Sequence, residues 1–423
     1  MSAITAKPNR KYDLVLWGAT GFTGQLVAEY LAQKYGVNKQ VRWALAGRNR
    51  EKLEGVRARV AATSDPAAVE LPIIVGDASD RASLRAVVAD ARVVITTVGP
   101  YAVHGKEMVA ACVEHGTDYV DLTGETNFAR EMIDRHHVRA GETGARIVHC
   151  CGFDSIPSDL GTLVLQEEMQ KRHGVRCAEV KFYMGEASGG FSGGTLASMM
   201  NLFAAATKDR ELRRLMGDPY ALNPDRKNQR GPDGRDQQGV RWDAETRRWT
   251  GPFVMAAINT RVVRRSNALL GWKYGREFKY SECMSFGAGP KGWMMAAGLT
   301  AGIGAFAAAA AWAPSRKVLE KRLPGPGEGP SKEKREKGFF VVRLLGIGEG
   351  GNGQGGPRLM ETVRGQADPG YGETAKMLSE AALCLAKDEL PVGGGVLTPA
   401  SCMGMRLVER LRAAGMTFSV EQG

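Results

Sequence analysis

Short apolar runs alternate with helical spacing through the first third of the chain. Residues 14–17, 41–46, 73–75, 93–98, 119–122 and 146–151 read as buried strands of a parallel sheet. Between them, 25–33, 83–89, 105–114 and 128–139 carry apolar residues at helical intervals. Strand and helix in strict alternation predict a doubly wound parallel sheet over residues 1–152. The alternation then breaks. A helix capped by Ser158 is predicted to run to about Lys171, with Asp159 in its first turn. Residues 178–184, 255–265, 278–286, 339–345 and 359–364 read as strands of a second, mixed sheet over 153–370. A glycine- and serine-rich loop at 185–194 precedes an apolar helix at 195–206, and 222–248 reads as a long charged excursion. A Pro/Gly-rich linker is expected at 323–338. Two helices, 372–387 and 399–413, lie in a C-terminal part, 371–423, that packs back on the first domain. The class is α/β, with an inserted α+β second domain and a helical return.

Residues 292–315 contain no charge. Their length reaches the membrane-spanning range, but alanine and glycine dominate. Trp293 and Trp312 near the ends, with Lys291 and Arg316 outside, resemble interfacial anchors. Three readings follow: a helix buried in the protein or in a homodimer interface, a membrane or lipid-droplet contact, and a true span.

The first strand ends at Gly18-Ala-Thr-Gly-Phe-Thr-Gly24, and a helix follows. Strand, glycine turn and helix start are the context of a dinucleotide-binding turn, and the domain reads as a Rossmann fold. Gly18 allows the sharp turn, Gly21 a close approach of backbone to pyrophosphate, and Gly24 close packing of helix on strand. Thr20, Phe22 and Thr23 complete the cradle beneath the helix N-terminus. At the end of the second strand an NAD-selective site would place an acid on the ribose hydroxyl. Here Arg48 stands, with Arg50 close behind, and a guanidinium suits a 2′-phosphate. The expected cofactor is therefore NADP. Asp77, after the third strand, suits either the adenine end or a helix cap. Gly99 and Pro100, after the fourth strand, are placed to line the nicotinamide ribose, because ligands sit at the carboxyl ends of such strands. Asp154 and Ser155 lie at the same edge, as a substrate floor or as helix-capping groups.

The formal net charge of the 423 residues is +11, and residues 206–280 hold 17 Lys/Arg against 9 Asp/Glu. Such a segment suits an acidic carrier protein or an anionic membrane. No nucleic-acid module accompanies it, so a nucleic-acid partner is excluded. The seven cysteines are odd in number and none falls in C-x-x-C spacing, which fits a reducing compartment and no structural metal. The polar start, residues 1–10, reads as neither a secretory signal nor a transit peptide, so a cytoplasmic location is expected, peripheral to lipid if 292–315 touches it.

The glycine turn, Ala46-Gly-Arg-Asn49, Val98-Gly-Pro-Tyr101 and Gly152-Phe-Asp-Ser-Ile-Pro-Ser-Asp159 together resemble the saccharopine-dehydrogenase-like oxidoreductases. The likeness is to the branch that includes trans-acting enoyl reductases of lipid assembly. Pro326-Gly-Glu-Gly-Pro-Ser331, Asp368-Pro-Gly-Tyr371 and Gly395-Val-Leu-Thr-Pro399 extend it over nearly the whole chain. The resemblance implies NADPH-dependent reduction of an acyl or polyketide thioester, free or bound to an acyl carrier protein. It does not imply saccharopine as substrate, since no arginine-rich dicarboxylate motif is present. Tyr101, His104 and Ser155 are the candidate proton donors for an enoyl reduction. The alternatives are imine or carbonyl reduction of an amino-acid-derived substrate, and a non-enzymatic NADP-binding protein on a lipid surface.

Overall fold

The computed structural model describes residues 10–188, 200, 202, 204–322, 331, 333, 337–350 and 355–423. The first part runs β1 (Tyr12–Trp17), α1 (Phe22–Tyr35), β2 (Trp43–Gly47), α2 (Arg50–Thr63), β3 (Ile73–Val75), α3 (Arg81–Ala89), β4 (Ala91–Thr96), α4 (Tyr101–His104), α5 (Lys106–His115), β5 (Asp118–Val120), α6 (Thr126–Thr143) and β6 (Arg146–Val148). Then come α7 (Ile156–His173), β7 (Cys177–Ser188), α8 (Arg210–Gly217), β8 (Arg241–Asp243), β9 (Arg248–Gly251), α9 (Ala256–Leu269), β10 (Lys279–Ser285), α10 (Pro290–Ala311) and α11 (Ala313–Arg322). The chain closes with β11 (Phe339–Gly348), β12 (Arg358–Gly365), α12 (Thr374–Lys387), β13 (Gly395–Leu397), α13 (Pro399–Cys402), α14 (Gly404–Ala413) and β14 (Thr417–Gln422). Residues 185–188 of the expected glycine-rich loop belong to β7, while the rest of that loop, most of the helix read at 195–206, and most of the linker at 323–338 fall outside the described residues.

Seven parallel strands form the first sheet, ordered β13-β6-β5-β4-β1-β2-β3. The chain winds from β1 outward to β3, then crosses to β4 on the other side of β1. That reversal opens a crevice at the carboxyl ends of β1 and β4, where such sheets bind ligands. The second sheet is mixed, ordered β14-β12-β11-β7-β10-β9-β8, with β7 and β10 parallel. Helix α7 joins the two and is buried along most of its length, which is why its apolar residues show little one-sided pattern.

Three sequence expectations change. Residues 255–265 are the N-cap and first part of α9 rather than a strand. Ile258 and Val262 repeat at a helical interval, and the β-branched residues had suggested a sheet. Helix α7 starts at Ile156 after Ser155, two residues before the expected cap, with Pro157 in the first turn; Ser158 lies inside the helix. The C-terminal part supplies strands as well as helices: β13 extends the first sheet and β14 edges the second. Both strands are short and were hidden beside long apolar helices.

Buried polar contacts fix the return of the chain. Glu380 of α12 accepts hydrogen bonds from the Tyr30 and Tyr35 hydroxyls of α1 and pairs with Lys34 and Arg410. Asp159 of α7 accepts from the Ser266 hydroxyl of α9 and from the Ala400 N–H of α13 at 2.8 Å. One carboxyl thus ties three segments distant in sequence.

Glu361 on β12 is fully buried, and neither carboxyl oxygen has a hydrogen-bond partner among the described residues. Burial lifts its pKa well above the ordinary 4.5. The folded protein holds this proton where the unfolded chain releases it. Stability from Glu361 is therefore full below the unfolded pKa and is lost as pH rises above it. Glu361→Met, of similar volume, should raise Tm, by an amount worth about 1–3 kcal/mol, and more at pH ~8 than at pH ~5. Thermal melts at both pH values check this; no gain at either would contradict it.

Candidate active site

Two glycines of the cradle tolerate no side chain. Gly18 has φ +88°, and a Cβ there would lie 2.5 Å from Val98 Cγ2 and 2.9 Å from Thr97 Oγ1. A Cβ on Gly24 would lie 2.2 Å from the Gly18 carbonyl oxygen, so α1 sits directly on the turn. The Thr97 hydroxyl donates to the Gly18 carbonyl at 3.1 Å and ties the turn to the end of β4. Gly21 occupies the N-cap of α1, and no side chain caps the helix. Its positive end is thus open to an anion. The Thr20 carbonyl accepts from Gln25 Nε2 at 2.9 Å, and the Phe22 ring meets Tyr371 edge-on at 4.7 Å. Thr23 lies in the first turn of α1.

Gly76 N–H donates to the Gly47 carbonyl at 3.0 Å, which brings the ends of β2 and β3 together. Arg48 is exposed there beside Asp77. The Ser79 N–H and hydroxyl hold the Asp77 carboxyl below the usual carboxylate range, and the Arg48 charge adds to this. Asp80, not Asp77, caps α3. The open helix end, the two side-chain-free approaches and the exposed guanidinium fit NADP: α1 and its turn would hold the pyrophosphate, and Arg48 the 2′-phosphate.

The other end of the crevice differs from expectation. After β4 come a cis Gly99–Pro100 peptide and the short helix α4. Both oxygens of Glu125 accept backbone N–H groups at the start of α4, from Tyr101 and Ala102, each at 2.9 Å. Tyr101 does not reach into the cleft as a donor. Its ring is buried against Phe128, 5.8 Å away, and its hydroxyl donates to the Thr96 carbonyl at 3.1 Å. Burial pushes the phenol well above its ordinary pKa. The sequence placed Tyr101 correctly after β4, but its apolar ring prefers the core beneath α4. Ser155 is also buried, and its hydroxyl donates to Asn259 Oδ1 at 3.0 Å. His104 is exposed at the end of α4; its N–H donates to the Pro100 carbonyl at 3.0 Å, and no described residue hydrogen-bonds to its ring.

Asp121, just beyond β5, is the group that sequence reasoning missed. One oxygen accepts N–H groups from Thr123 at 3.1 Å and Cys150 at 3.0 Å. The other meets His149 Nδ1 at 2.7 Å and the Tyr119 hydroxyl at 3.0 Å. The Asp121 carbonyl takes the Cys151 N–H at 2.7 Å. An acid at a strand's carboxyl end was the available signal. The loop after β6 is held by these contacts and carries Asp154. That side chain is half-buried and has no hydrogen-bond partner among the described residues. Desolvation, with the nearby Asp121 charge, pushes the Asp154 carboxyl up to about 7. A carboxyl poised near neutrality at the reacting edge of the sheet can deliver a proton.

From Ser155 a buried chain runs into the second sheet. Asn259 Nδ2 donates to Glu282 Oε2 at 3.0 Å, and the Tyr280 hydroxyl donates to Glu282 Oε1 at 2.7 Å. Desolvation raises Glu282 to about 7. Tyr280 and Glu282 also line a cleft of about 310 Å³ with Lys181, Tyr183, Asp233 and Arg264. The basic segment is partly consumed by the fold: Arg261, Arg264 and Arg265 of α9 are buried, the first two paired with Asp236 and Asp233.

A family model described as the saccharopine dehydrogenase NADP-binding domain matches residues 14–148. A protein named putative trans-acting enoyl reductase, from Mycobacterium tuberculosis (strain H37Rv), is 42% identical over 425 residues, covering 98% of each chain. One named trans-acting enoyl reductase, from Mycobacterium bovis (strain BCG), is 41% identical over 420 residues, covering 97% of each. Among solved structures, apo saccharopine dehydrogenase (L-Glu forming) from Saccharomyces cerevisiae superposes with a TM-score of 0.52 at 15% identity, covering 97% of this chain and 99% of that one. At that identity the superposition shows the shared fold.

Two substitutions test the cradle. Gly24→Ala should abolish NADPH binding, because the new methyl drives α1 off the turn. Arg48→Ala should weaken NADPH about 10- to 100-fold, the worth of a charge-assisted contact, and leave NADH unchanged. Tryptophan-quenching titrations with both nucleotides are the check; equal losses for both would contradict the assignment of Arg48.

Proposed function

The chain belongs to the saccharopine dehydrogenase-like oxidoreductases, in the branch whose members are named trans-acting enoyl reductases, and from that premise we propose that it reduces the carbon–carbon double bond of an enoyl thioester. It is an NADP-dependent oxidoreductase. The observation that carries the finer reading is Asp154, a protonatable carboxyl at the same sheet edge as the nicotinamide end of the crevice.

NADPH, when bound, supplies a hydride. Addition at the β-carbon moves the π pair toward the thioester oxygen as an enolate, and a proton must then reach the α-carbon. Asp154 gives that proton from its carboxyl oxygen and regains one from water, to which its half-buried position leaves it open. His104, exposed on α4 with a ring that no described residue hydrogen-bonds, serves in this reading as the donor to the enolate oxygen. Asp121 and Glu125 touch neither; they hold the loops that carry Asp154 and His104. Tyr101 and Ser155 have their hydroxyls engaged within the fold and serve as framework.

NADPH consumption with an enoyl-pantetheine thioester tests the reading, against an amino acid plus a keto acid as the competing substrate pair. Turnover is expected with the thioester alone. Asp154→Asn should lower kcat about 100- to 10,000-fold, the usual worth of a general acid, with NADPH affinity unchanged. The wild-type kcat should fall as pH rises through about 7, where Asp154 loses its proton. Turnover only with the amino acid and keto acid, or an unchanged kcat in Asp154→Asn, would overturn the proposal.

A further inference from the structure

Helix α10 holds 22 residues, so it is about 33 Å long at 1.5 Å per residue. Its most apolar stretch has a mean hydropathy of 1.6, yet only 11% of that stretch is buried. Near its start the helix rests on the second sheet. Gly292 lies against the backbone of Gly287, while Ala296 and Leu299 lie against Gly251 of β9. Farther along, Ala310 is buried. This corrects the reading of residues 292–315 as a helix buried within the chain. Trp293 (49% exposed), Met295 (52%), Met294 (59%) and Trp312 (67%) stand open to solvent. Met294, Gly298, Ala301, Ala305, Ala308 and Trp312 fall on one exposed line along the whole helix. Apolar surface this continuous marks a contact site.

The topology decides between crossing a membrane and lying on one. Strand β10 precedes the helix, and β11 follows α11 and the segment after it. Both strands flank β7 in the same sheet. A single crossing would put them on opposite sides of a bilayer, so whatever leaves the sheet must return. The returning stretch cannot be a second span, because residues 316–337 carry eight Lys/Arg and four Asp/Glu. The helix can therefore enter one leaflet only. Its two ends carry the residues that favour a headgroup boundary: Trp293 after Lys291, and Trp312 before Arg316. The excess of positive charge beyond Trp312 complements an anionic surface.

We infer that α10 docks the protein on one leaflet of an anionic phospholipid bilayer, with the Met294–Trp312 line immersed and Lys291 and Arg316 at the headgroups. The inference stands apart from the reaction assigned above and would survive its failure.

The test is flotation of the full-length protein with phosphatidylcholine vesicles, with and without phosphatidylglycerol. The wild type should rise with the anionic vesicles, and less so as salt is raised. The triple variant Met294→Glu/Ala301→Glu/Trp312→Glu replaces only exposed groups. It should still bind NADPH, and it should lose roughly tenfold or more of its recovery with vesicles. A readout independent of that variant is quenching of tryptophan fluorescence by bilayer-buried brominated lipid, which should be lost in Trp293→Phe/Trp312→Phe. A wild type that stays at the bottom of both gradients, or a triple variant that floats equally, overturns the inference. A wild-type dimer that the triple variant splits, without flotation, overturns it in favour of a second copy of this chain.

Discussion

Asp121 is the constraint on which the reacting edge depends. Its side chain lies in the interior and takes four donors from three places: β5 itself, the loop after β5, and the loop after β6. Such a carboxylate organises by necessity, since a buried acceptor left without donors would cost several kcal/mol. It fixes the path of Cys150 and Cys151, and that path sets where Asp154 stands. Its charge also adds to desolvation in keeping the Asp154 proton in place. Structure and chemistry at this edge thus share one origin. The Nε2 atom of His149 is buried and has no partner among the described residues, so the second face of that imidazole is held by packing against Phe128, 5.3 Å away.

The rest of the fold delivers loops to that edge. The close contact of the Gly18 turn with Val98 and Thr97 sets the width of the crevice between β1 and β4. Glu125 spends both oxygens on the start of α4, which a helix of four residues could not supply from within. On the far side, Ser155, Asn259, Glu282 and Tyr280 couple the Asp154 loop to the second sheet through buried polar groups. The C-terminal part locks the assembly from behind: Glu380 gathers four partners against α1 and α14, and Asp159 binds α7, α9 and α13. A reductase built this way holds its cofactor half and its second sheet in one rigid register, since few of the joining groups could move without stranding a buried charge.

Much of the architecture was legible in the sequence because it follows from period and punctuation. The six strands of the first half, the glycine turn and the arginine after β2 could be read directly. What failed did so for physical reasons. At 255–265 the β-branched residues outweighed a helical spacing that burial of three arginines had blurred. Strands β13 and β14 add pairs to sheets whose other strands are far away in sequence, and local pattern holds no record of that. At the site, the loop positions of Tyr101, His104 and Ser155 were readable, but side-chain direction was not. Tyr101 and Ser155 turned inward to satisfy buried carbonyl and amide groups. Asp154 was read as a floor or a capping group, because its chemistry comes from burial in the fold and from the charge of Asp121, 33 positions earlier at the end of the adjacent strand.

The most direct measurement is the titration of Asp154 itself. Carboxyl-labelled aspartate in the full-length protein, followed by carbon NMR and assigned by the resonance that disappears in Asp154→Asn, reports its protonation without substrate or cofactor. The account predicts a midpoint near 7, far above the ordinary aspartate value of 3.8. A midpoint near the ordinary value would show a carboxylate with no proton to give at neutral pH, and would contradict its role as the acid at this edge.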